Sequence, residues 1–385
     1  MRPTAAAFFL VLLGCGGEEA TSWPSEEVHN ERVEAPAIEV GLDLRIGPDE
    51  GGVLLSDVVG LEVGAEGRIY VLDYVEQALI AFDEAGTHLW TAGGRGQGPG
   101  EFGGAAGLAI DPGGRVWVWD PRGARFSVFD SDGTLVQTHT RQVRGTLHPW
   151  PGGFTAAGSL VDWAVEHLET TPRRTRFSPV VTTFPGGDTT WLPPIEYRRL
   201  VRANGSTGIP FAPGVVVSMD GDRGLLFAHT ETYRIFERSL EGDTLRRFSV
   251  EEGGKPVTQA ELDSVVDASR AFSPDLRLEP TQIPHFKPVI LRVFATPDGA
   301  RTYVVPDLEG HPAGSVIDAF DPSGRHIGRY RLPEPVSMPF PRPVAQGDFV
   351  YYASKDPMTD LPSILRVRID SPTGSEQGGA RLHSF

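Results

Sequence analysis

Residues 107–134 read GLAIDPGGRVWVWDPRGARFSVFDSDGT, and this stretch decides the fold. It is a second copy of residues 60–87, GLEVGAEGRIYVLDYVEQALIAFDEAGT. Equivalent positions keep a constant spacing of 47 residues, since 107 − 60 and 120 − 73 give the same value. A fixed period of this size is typical of solenoids, propellers and other repeat architectures.

Each copy alternates short apolar runs with turn residues. Runs such as IYVL at 69–72 and VWVW at 116–119 are rich in β-branched and aromatic residues, and glycine, proline and aspartate bound them. This pattern indicates antiparallel strands joined by tight turns, because a helical repeat would need apolar residues three and four positions apart. Four such strands in a unit of this length form one blade of a β-propeller.

Weaker copies of the unit follow along the chain, at residues 151–184, 215–236, 298–324 and 349–369. The last copy is one strand short, while AIEVGLDLRI at 37–46 is a strand with no blade of its own. Joining the two would close the ring and remove both open sheet edges. The sequence therefore predicts an all-β, six-bladed β-propeller of four-stranded antiparallel blades, closed by an N-terminal strand. Five or seven blades are the alternatives.

A family resemblance supports this fold. The segment GRGQGPGEF at 94–102, followed by GLAID at 107–111 and VWVWD at 116–120, resembles the NHL repeat and the related six-bladed propeller lipoproteins of bacteria. The similarity is sharp over residues 58–136 and returns over 289–327. It implies a propeller fold and a binding role, and it transfers no catalytic residue because the matching positions form the blades.

One segment interrupts the β pattern. Thr258 and Glu261 have the spacing of a capping box, and apolar residues follow on one helical face until Pro274. We expect a helical insertion at about 258–272, between blades four and five. It either packs on the disc for stability or lies over the central channel as a lid.

The N-terminal residues resemble an export signal. The apolar run AAAFFLVLL at 5–13 is too short to span about 30 Å of hydrocarbon as a helix. LLGC at 12–15 resembles the lipobox of bacterial lipoproteins, and Cys15 is the only cysteine in the chain. We predict that residues 1–14 are a lipoprotein signal peptide and that Cys15 is acylated after cleavage.

The remaining boundaries follow from composition. Residues 15–32 are polar and acidic after the acylated cysteine, which predicts a flexible tether. The propeller then spans 33–372, and 373–385 form a polar C-terminal tail. Gly16 stands where aspartate would favour inner-membrane retention, so we expect the protein in the cell envelope at the outer membrane, on its periplasmic or its exposed side.

The charge balance excludes one class of partner. The chain has 51 Asp+Glu against 35 Lys+Arg, a formal net charge of −16. A surface of this sign repels phosphate backbones, so we expect no nucleic-acid binding. The single cysteine also excludes an internal disulfide and a thiolate metal site.

Repeated acidic residues are the first candidates for chemistry. Asp73, Asp120 and Asp307 recur at the ends of equivalent strands. They either accept hydrogen bonds from loop amides or form a carboxylate ring that could hold a cation at one channel mouth. The acidic segment 130–133 lacks the later ligands of a calcium loop, which favours a hairpin turn. The glycines at 93–104 lack the helix that a dinucleotide loop requires.

The ligands that metal-dependent enzymes use on this fold are scarce in this chain, as asparagine is, or scattered along it, as its histidines are. Six-bladed propellers also include lactonases and esterases with asparagine and acidic calcium ligands at the channel centre, and metal-dependent lyases with histidines there. Only Asn30 and Asn204 are present, and no two histidines have the local spacing of a metal pair. His148, His229 and His285 could still converge in space. We expect no cofactor and no bound metal.

The resulting functional hypothesis is a membrane-anchored envelope binding or scaffold module that engages a protein, peptide or glycan through one propeller face, without catalysis. The alternative is a channel-centred metal-dependent hydrolase or lyase, which the fold alone does not exclude. The candidate binding-face residues come from the basic cluster in the connection 185–213 and from one histidine: Tyr197, Arg198, Arg199, Arg202 and His285.

Overall fold

The computed structural model describes residues 27–48, 53–141, 143, 150–168, 174–183, 187–198, 208–221, 223–272 and 278–369. Within these ranges the chain forms β-strands, one α-helix, α1 (Gln259–Phe272), and two 3-10 turns, Ala65–Gly67 and Pro280–Gln282. None of the helices in the same ranges is long and apolar enough to cross a membrane.

Six sheets form the blades, and three short strands precede them: β1 (Val28–Asn30), β2 (Ile38–Glu39) and β3 (Leu42–Ile46). Blade 1 contains β4 (Val58–Val63), β5 (Ile69–Asp73), β6 (Ala78–Phe82) and β7 (His88–Gly93). Blade 2 contains β8 (Gly107–Ile110), β9 (Val116–Asp120), β10 (Arg125–Phe129) and β11 (Leu135–Thr140). Blade 3 contains β12 (Gly153–Phe154), β13 (Leu160–Leu168), β14 (Arg174–Thr182), β15 (Thr189–Trp191) and β16 (Ile195–Arg198).

The second half of the ring repeats the arrangement. Blade 4 contains β17 (Val215–Asp220), β18 (Gly224–His229), β19 (Arg234–Arg238) and β20 (Thr244–Val250). Blade 5 contains β21 (Ile290–Ala295), β22 (Thr302–Pro306), β23 (Val316–Phe320) and β24 (His326–Arg331). Blade 6 contains β25 (Val344–Gln346), β26 (Phe349–Lys355) and β27 (Pro362–Arg368). The predicted all-β, six-bladed propeller is confirmed.

The ring closes through β3, as the sequence predicts. This strand pairs antiparallel with β27, with Ile46 opposite Ile364, and supplies the strand that blade 6 lacks. The alternation in LDLRI at 42–46 turns Leu44 and Ile46 toward the core between blade 6 and blade 1, while Asp43 forms an ion pair with Arg366.

Of the two strands before β3, β1 was not predicted, and β2 lies within the segment 37–46 that was predicted as one continuous strand. β1 pairs in parallel with β20, and β2 pairs in parallel with β24, so each adds a fifth, outermost strand to blade 4 or blade 5. The tether predicted over 15–32 is therefore wrong at its C-terminal end, because Val28–Asn30 form a strand. Asn30 fixes this strand: its side-chain amide donates to the carbonyl oxygens of Ser249 and Gly324, at 3.0 Å each.

Among the described residues, the core consists of six apolar clusters, each between neighbouring blades. Between blades 1 and 2, for example, Leu72 and Leu79 pack with Leu108 and Val118, and all four side chains are buried. Burial of one such side chain contributes about 1.5–3 kcal/mol. The stability of each blade therefore depends on both of its neighbours.

The connection predicted over 185–213 is partly strand. Within it, β15 pairs with residues 180–182 of β14 and β16 pairs with residues 174–177, so two short pieces form the outer edge of blade 3. Pro193 and Pro194 separate them because proline cannot donate to a strand ladder.

Candidate functional site

Asp73 is a structural residue, as one of the two sequence interpretations holds. Its carboxylate is fully buried and accepts four backbone amides, from Ser56 and Asp57 at 2.6 and 3.3 Å and from Val75 and Glu76 at 2.9 and 3.0 Å. Four donors leave no free lone pair for a cation, so the carboxylate ties the blade-entry loop to the turn after β5.

Asp120 does the same work one repeat later, while Asp307 does not. Asp120 accepts the amides of Gly103, Arg122 and Gly123 at 2.8, 3.1 and 3.2 Å. Asp307 instead has a carboxylate oxygen 2.6 Å from Nζ of Lys255, and Lys255 belongs to the segment that leads into α1. The three aspartates thus have separate partners, and the carboxylate-ring alternative has no support in the structure.

The turn at 130–133 is a hairpin, which confirms the preferred interpretation. Oδ1 of Asp130 accepts the amides of Asp132 and Thr134 at 3.0 and 2.9 Å, and Gly133 adopts a φ of 81°. The carboxylate thus closes its own turn.

The helical insertion is confirmed, with the predicted cap. The amide of Glu261 donates to Oγ1 of Thr258 at 3.3 Å, and the amide of Thr258 donates to the Glu261 carboxylate at 3.0 Å. Glu261 also forms an ion pair with Lys287. The hydrogen bonds from Lys287 and Thr258 lower the pKa of Glu261 to about 2, so the carboxylate stays charged at neutral pH.

The two insertions meet on one face of the disc. The ammonium of Lys287 lies 5.6 Å from the ring centroid of Phe211, which belongs to the connection into blade 4. Next to Lys287, the Phe286 side chain is 62% exposed, and His285 is exposed as well. We call this surface, formed by Phe211, Glu261, His285, Phe286 and Lys287, the insertion face.

The basic candidates of the sequence lie at the edge of what the structure describes. Tyr197 and Arg198 end strand β16, where their backbones pair with Thr175 and Arg174. Arg199 and Arg202 lie outside the described residues, so their contribution to a binding face stays a prediction.

The innermost strands enclose a central channel. Each of the six contributes a residue near its C-terminal end to a cavity of about 630 Å³: Val63, Ile110, Phe154, Met219, Phe294 and Gln346. We call this cavity the channel mouth. It opens on the face opposite to the insertion face. The insertions connect to the N-terminal ends of β17 and β21, whereas the cavity lies at the C-terminal ends of the innermost strands.

Two charged side chains face each other in the channel mouth, and the sequence interpretation missed both. Glu62 on β4 and Arg342 before β25 are 280 residues apart in the chain, and their Oε1 and Nη2 atoms lie 3.7 Å apart. Burial raises the pKa of Glu62 to about 7, although the positive charge of Arg342 opposes this shift. A repeat comparison could have found Glu62, since the equivalent residue 47 positions later (109 − 62) is Ala109.

The histidines do not assemble a metal site in the part of the chain that the structure describes. His229, half-buried at the end of β18, packs edge-on against Phe227 and Phe236, and burial lowers its pKa. His285 lies on the insertion face, and His148 is outside the described residues. Among the described residues, no three histidine, cysteine, aspartate or glutamate side chains lie close enough to hold a metal ion.

Comparisons with known proteins agree with the architecture. Residues 52–144 match the DUF5128 family, described as a 6-bladed beta-propeller. A candidate exported protein from Bacteroides fragilis is similar in structure, with a TM-score of 0.53 and 12% identity over 90% of this chain and 100% of that one.

Two further solved structures show how far the similarity extends. A DUF4221 family member from Bacteroides vulgatus gives a TM-score of 0.51 and 11% identity over 87% of this chain and 99% of that one. A calcium-binding regucalcin from Agrobacterium tumefaciens reaches only 0.44, at 13% identity over 88% of this chain and 98% of that one. No curated protein matches the chain in sequence. At these identities the similarity concerns the fold alone.

Proposed function

We propose that this chain is an exported, lipid-anchored module of the cell envelope that binds a protein partner through the insertion face and catalyses no reaction. The observation that carries the proposal is the contact between the two insertions into the repeat. Lys287 pairs with Glu261 of α1 and lies over the ring of Phe211, and the neighbouring Phe286 is exposed. Loops on a rigid scaffold are the usual place for recognition.

The envelope location rests on the N-terminal sequence. The apolar run, the lipobox resemblance and the unique Cys15 together support export and acylation. The description of the B. fragilis structure as a candidate exported protein is consistent with this address. Gly16 after the cysteine supports the outer membrane.

The chemistry of the insertion face favours a protein with an acidic, partly apolar surface. Phe286 offers an exposed aromatic side chain beside the ion pair of Lys287 with Glu261, and the sequence predicts a basic cluster, Arg198, Arg199 and Arg202, in the connection into blade 4. Aromatic and arginine side chains dominate the energetics of protein interfaces.

A strained residue at the same place supports a role in recognition. Phe211 has a φ of 59°, in the left-handed region that costs a bulky residue roughly 1–2 kcal/mol. Strain of this kind persists where surrounding contacts fix it, and it concentrates at binding sites. Lys287 is one of those contacts.

Site-specific photo-crosslinking tests this proposal. With p-benzoylphenylalanine in place of Phe286 in the producing cell, we expect a discrete adduct with an envelope protein. The matched control is Val136 on β11, a side chain that is 49% exposed at the rim of blade 2 and should give no such adduct. The same adducts at both positions, or an adduct with glycan alone at 286, would contradict the proposal.

A further inference from the structure

We propose that the channel mouth is a binding site for a small organic carboxylate, with the guanidinium of Arg342 as the anion-binding group and the Glu62 side chain beside it. This site lies on the face opposite to the insertion face, and it is independent of the proposed protein partner. Either can fail without affecting the other.

The shape and lining of the channel mouth suit a small ligand with an apolar body. A cavity of about 630 Å³ lies within the range of ligand pockets, roughly 300–1,000 Å³. Its walls include Phe154, Met219 and Phe294, while few charged groups converge on it. Apolar walls with a few placed polar groups are typical of small-molecule sites.

Arg342 has unused donor capacity in this cavity. Its side chain is only 17% exposed, and the 3.7 Å separation from Glu62 is too long for a hydrogen bond. No hydrogen bond from its guanidinium to any described residue is formed, although five N–H donors are available. A guanidinium that is enclosed but unsatisfied gains most from a planar anion such as a carboxylate.

The other charges around the cavity do not neutralise Arg342. Asp111, at the rim, accepts the amides of Gly113 and Arg115 at 2.9 Å each and the side chains of Arg115 and Trp117 at 2.8 and 3.0 Å. The Asp111 carboxylate is therefore already paired with Arg115 and does not neutralise Arg342.

A second arginine adds positive charge near the first. Burial, and then the charge of Arg342, lower the pKa of Arg292 to about 10, so Arg292 remains protonated at neutral pH. Arg292 donates to the carbonyl oxygens of Leu291 and Pro339, which holds its side chain in place.

Glu62 makes the binding depend on pH. Because burial raises its pKa to about 7, the side chain is mostly neutral at pH 6 and mostly ionised at pH 8. The neutral carboxyl can donate a hydrogen bond to a bound carboxylate, whereas the ionised form repels it. A monocarboxylate is therefore favoured over a phosphate dianion, which the same carboxylate would repel more strongly.

The test measures the affinity of 4-fluorobenzoate for the purified full-length chain by ¹⁹F NMR. We expect binding about tenfold tighter at pH 6 than at pH 8. For a pKa of about 7, the fraction of Glu62 that is neutral is about ten times larger at pH 6 than at pH 8. Glu62→Gln should keep the affinity and lose the pH dependence. Arg342→Gln should weaken binding at least about tenfold.

The controls separate this site from unspecific binding. Arg234→Gln removes an exposed arginine of blade 4 that pairs with Glu27, and it should bind as the unmodified protein does. Unchanged affinity in Arg342→Gln, equal binding of neutral 4-fluorobenzyl alcohol, or tighter binding of inorganic phosphate would each overturn the proposal. If Arg342→Gln fails to fold, the pH dependence of binding to Glu62→Gln tests the proposal instead. A tenfold change in affinity between pH 6 and pH 8 that persists in this variant would refute the proposal.

Discussion

Replacing Ile46 with aspartate is expected to destabilise the whole propeller by about 4 kcal/mol, because it removes a buried apolar side chain and introduces a carboxylate without a partner. Ile46 is 3% exposed, lies opposite Ile364 and packs in the cluster between blade 6 and blade 1. Loss of this strand opens the ring and leaves β27 as an exposed sheet edge.

The matched control is Ile38→Asp. Ile38 lies on β2, is 48% exposed, and belongs to a strand that only extends blade 5. Its replacement should change the free energy of unfolding by less than about 0.5 kcal/mol. Urea unfolding followed by circular dichroism compares the two variants, and equal midpoints would show that the ring does not depend on β3.

Replacing Cys15 with alanine is expected to move the protein completely from the membrane fraction to the soluble fraction. Cys15 is the only residue in the chain that could carry a thioether-linked diacylglycerol, and each buried CH₂ of an acyl chain contributes about 0.8 kcal/mol to anchoring. Without its acyl chains, the protein from residue 15 onward has a net charge of −17 (34 − 51, since Arg2 is removed with the signal peptide), which anionic lipids repel.

Fractionation at high salt measures this effect. Arg2→Lys, which keeps the positive charge ahead of the apolar run, serves as the control and should leave the protein in the membrane fraction. A Cys15→Ala variant that stays with the membrane at high salt would contradict acylation at this position.

Sequence reasoning predicted the parts of the fold that depend on local repetition. The copies at 60–87 and 107–134 carry their turns, their strand pattern and their terminal aspartates, so the period predicts that Asp73 and Asp120 share one role, and the structure decides between the two interpretations of that role. The cap formed by Thr258 and Glu261 is equally local, since its two residues are three positions apart.

The missed strand β1 and the missed pairing of β2 with blade 5 depend on contacts between distant parts of the chain. β1 and β2 are three and two residues long, too short to show a period, and each pairs in parallel with a strand about 220 or 290 residues later (248 − 28 and 330 − 38). Their place is set by the blades that they join, which the local sequence does not encode.

The candidate sites differ in the same way. His285 was predicted as a binding-face residue, and the structure places it next to the exposed Phe286. The pairing of Glu62 with Arg342 arises only when the first and last blades meet, so no local motif could indicate it. The one available signal was the charged residue Glu62 at a position where the second copy of the repeat has Ala109.

The central claim, binding without catalysis, is tested most directly by the metal content of the purified protein after incubation with calcium and zinc and extensive dialysis. The positive charge of Arg342 in the channel mouth opposes a divalent cation, so elemental analysis should find fewer than about 0.1 metal atoms per chain. About one calcium or zinc ion per chain, lost together with turnover of a lactone or ester on chelation, would contradict the account and establish the channel-centred enzyme in its place.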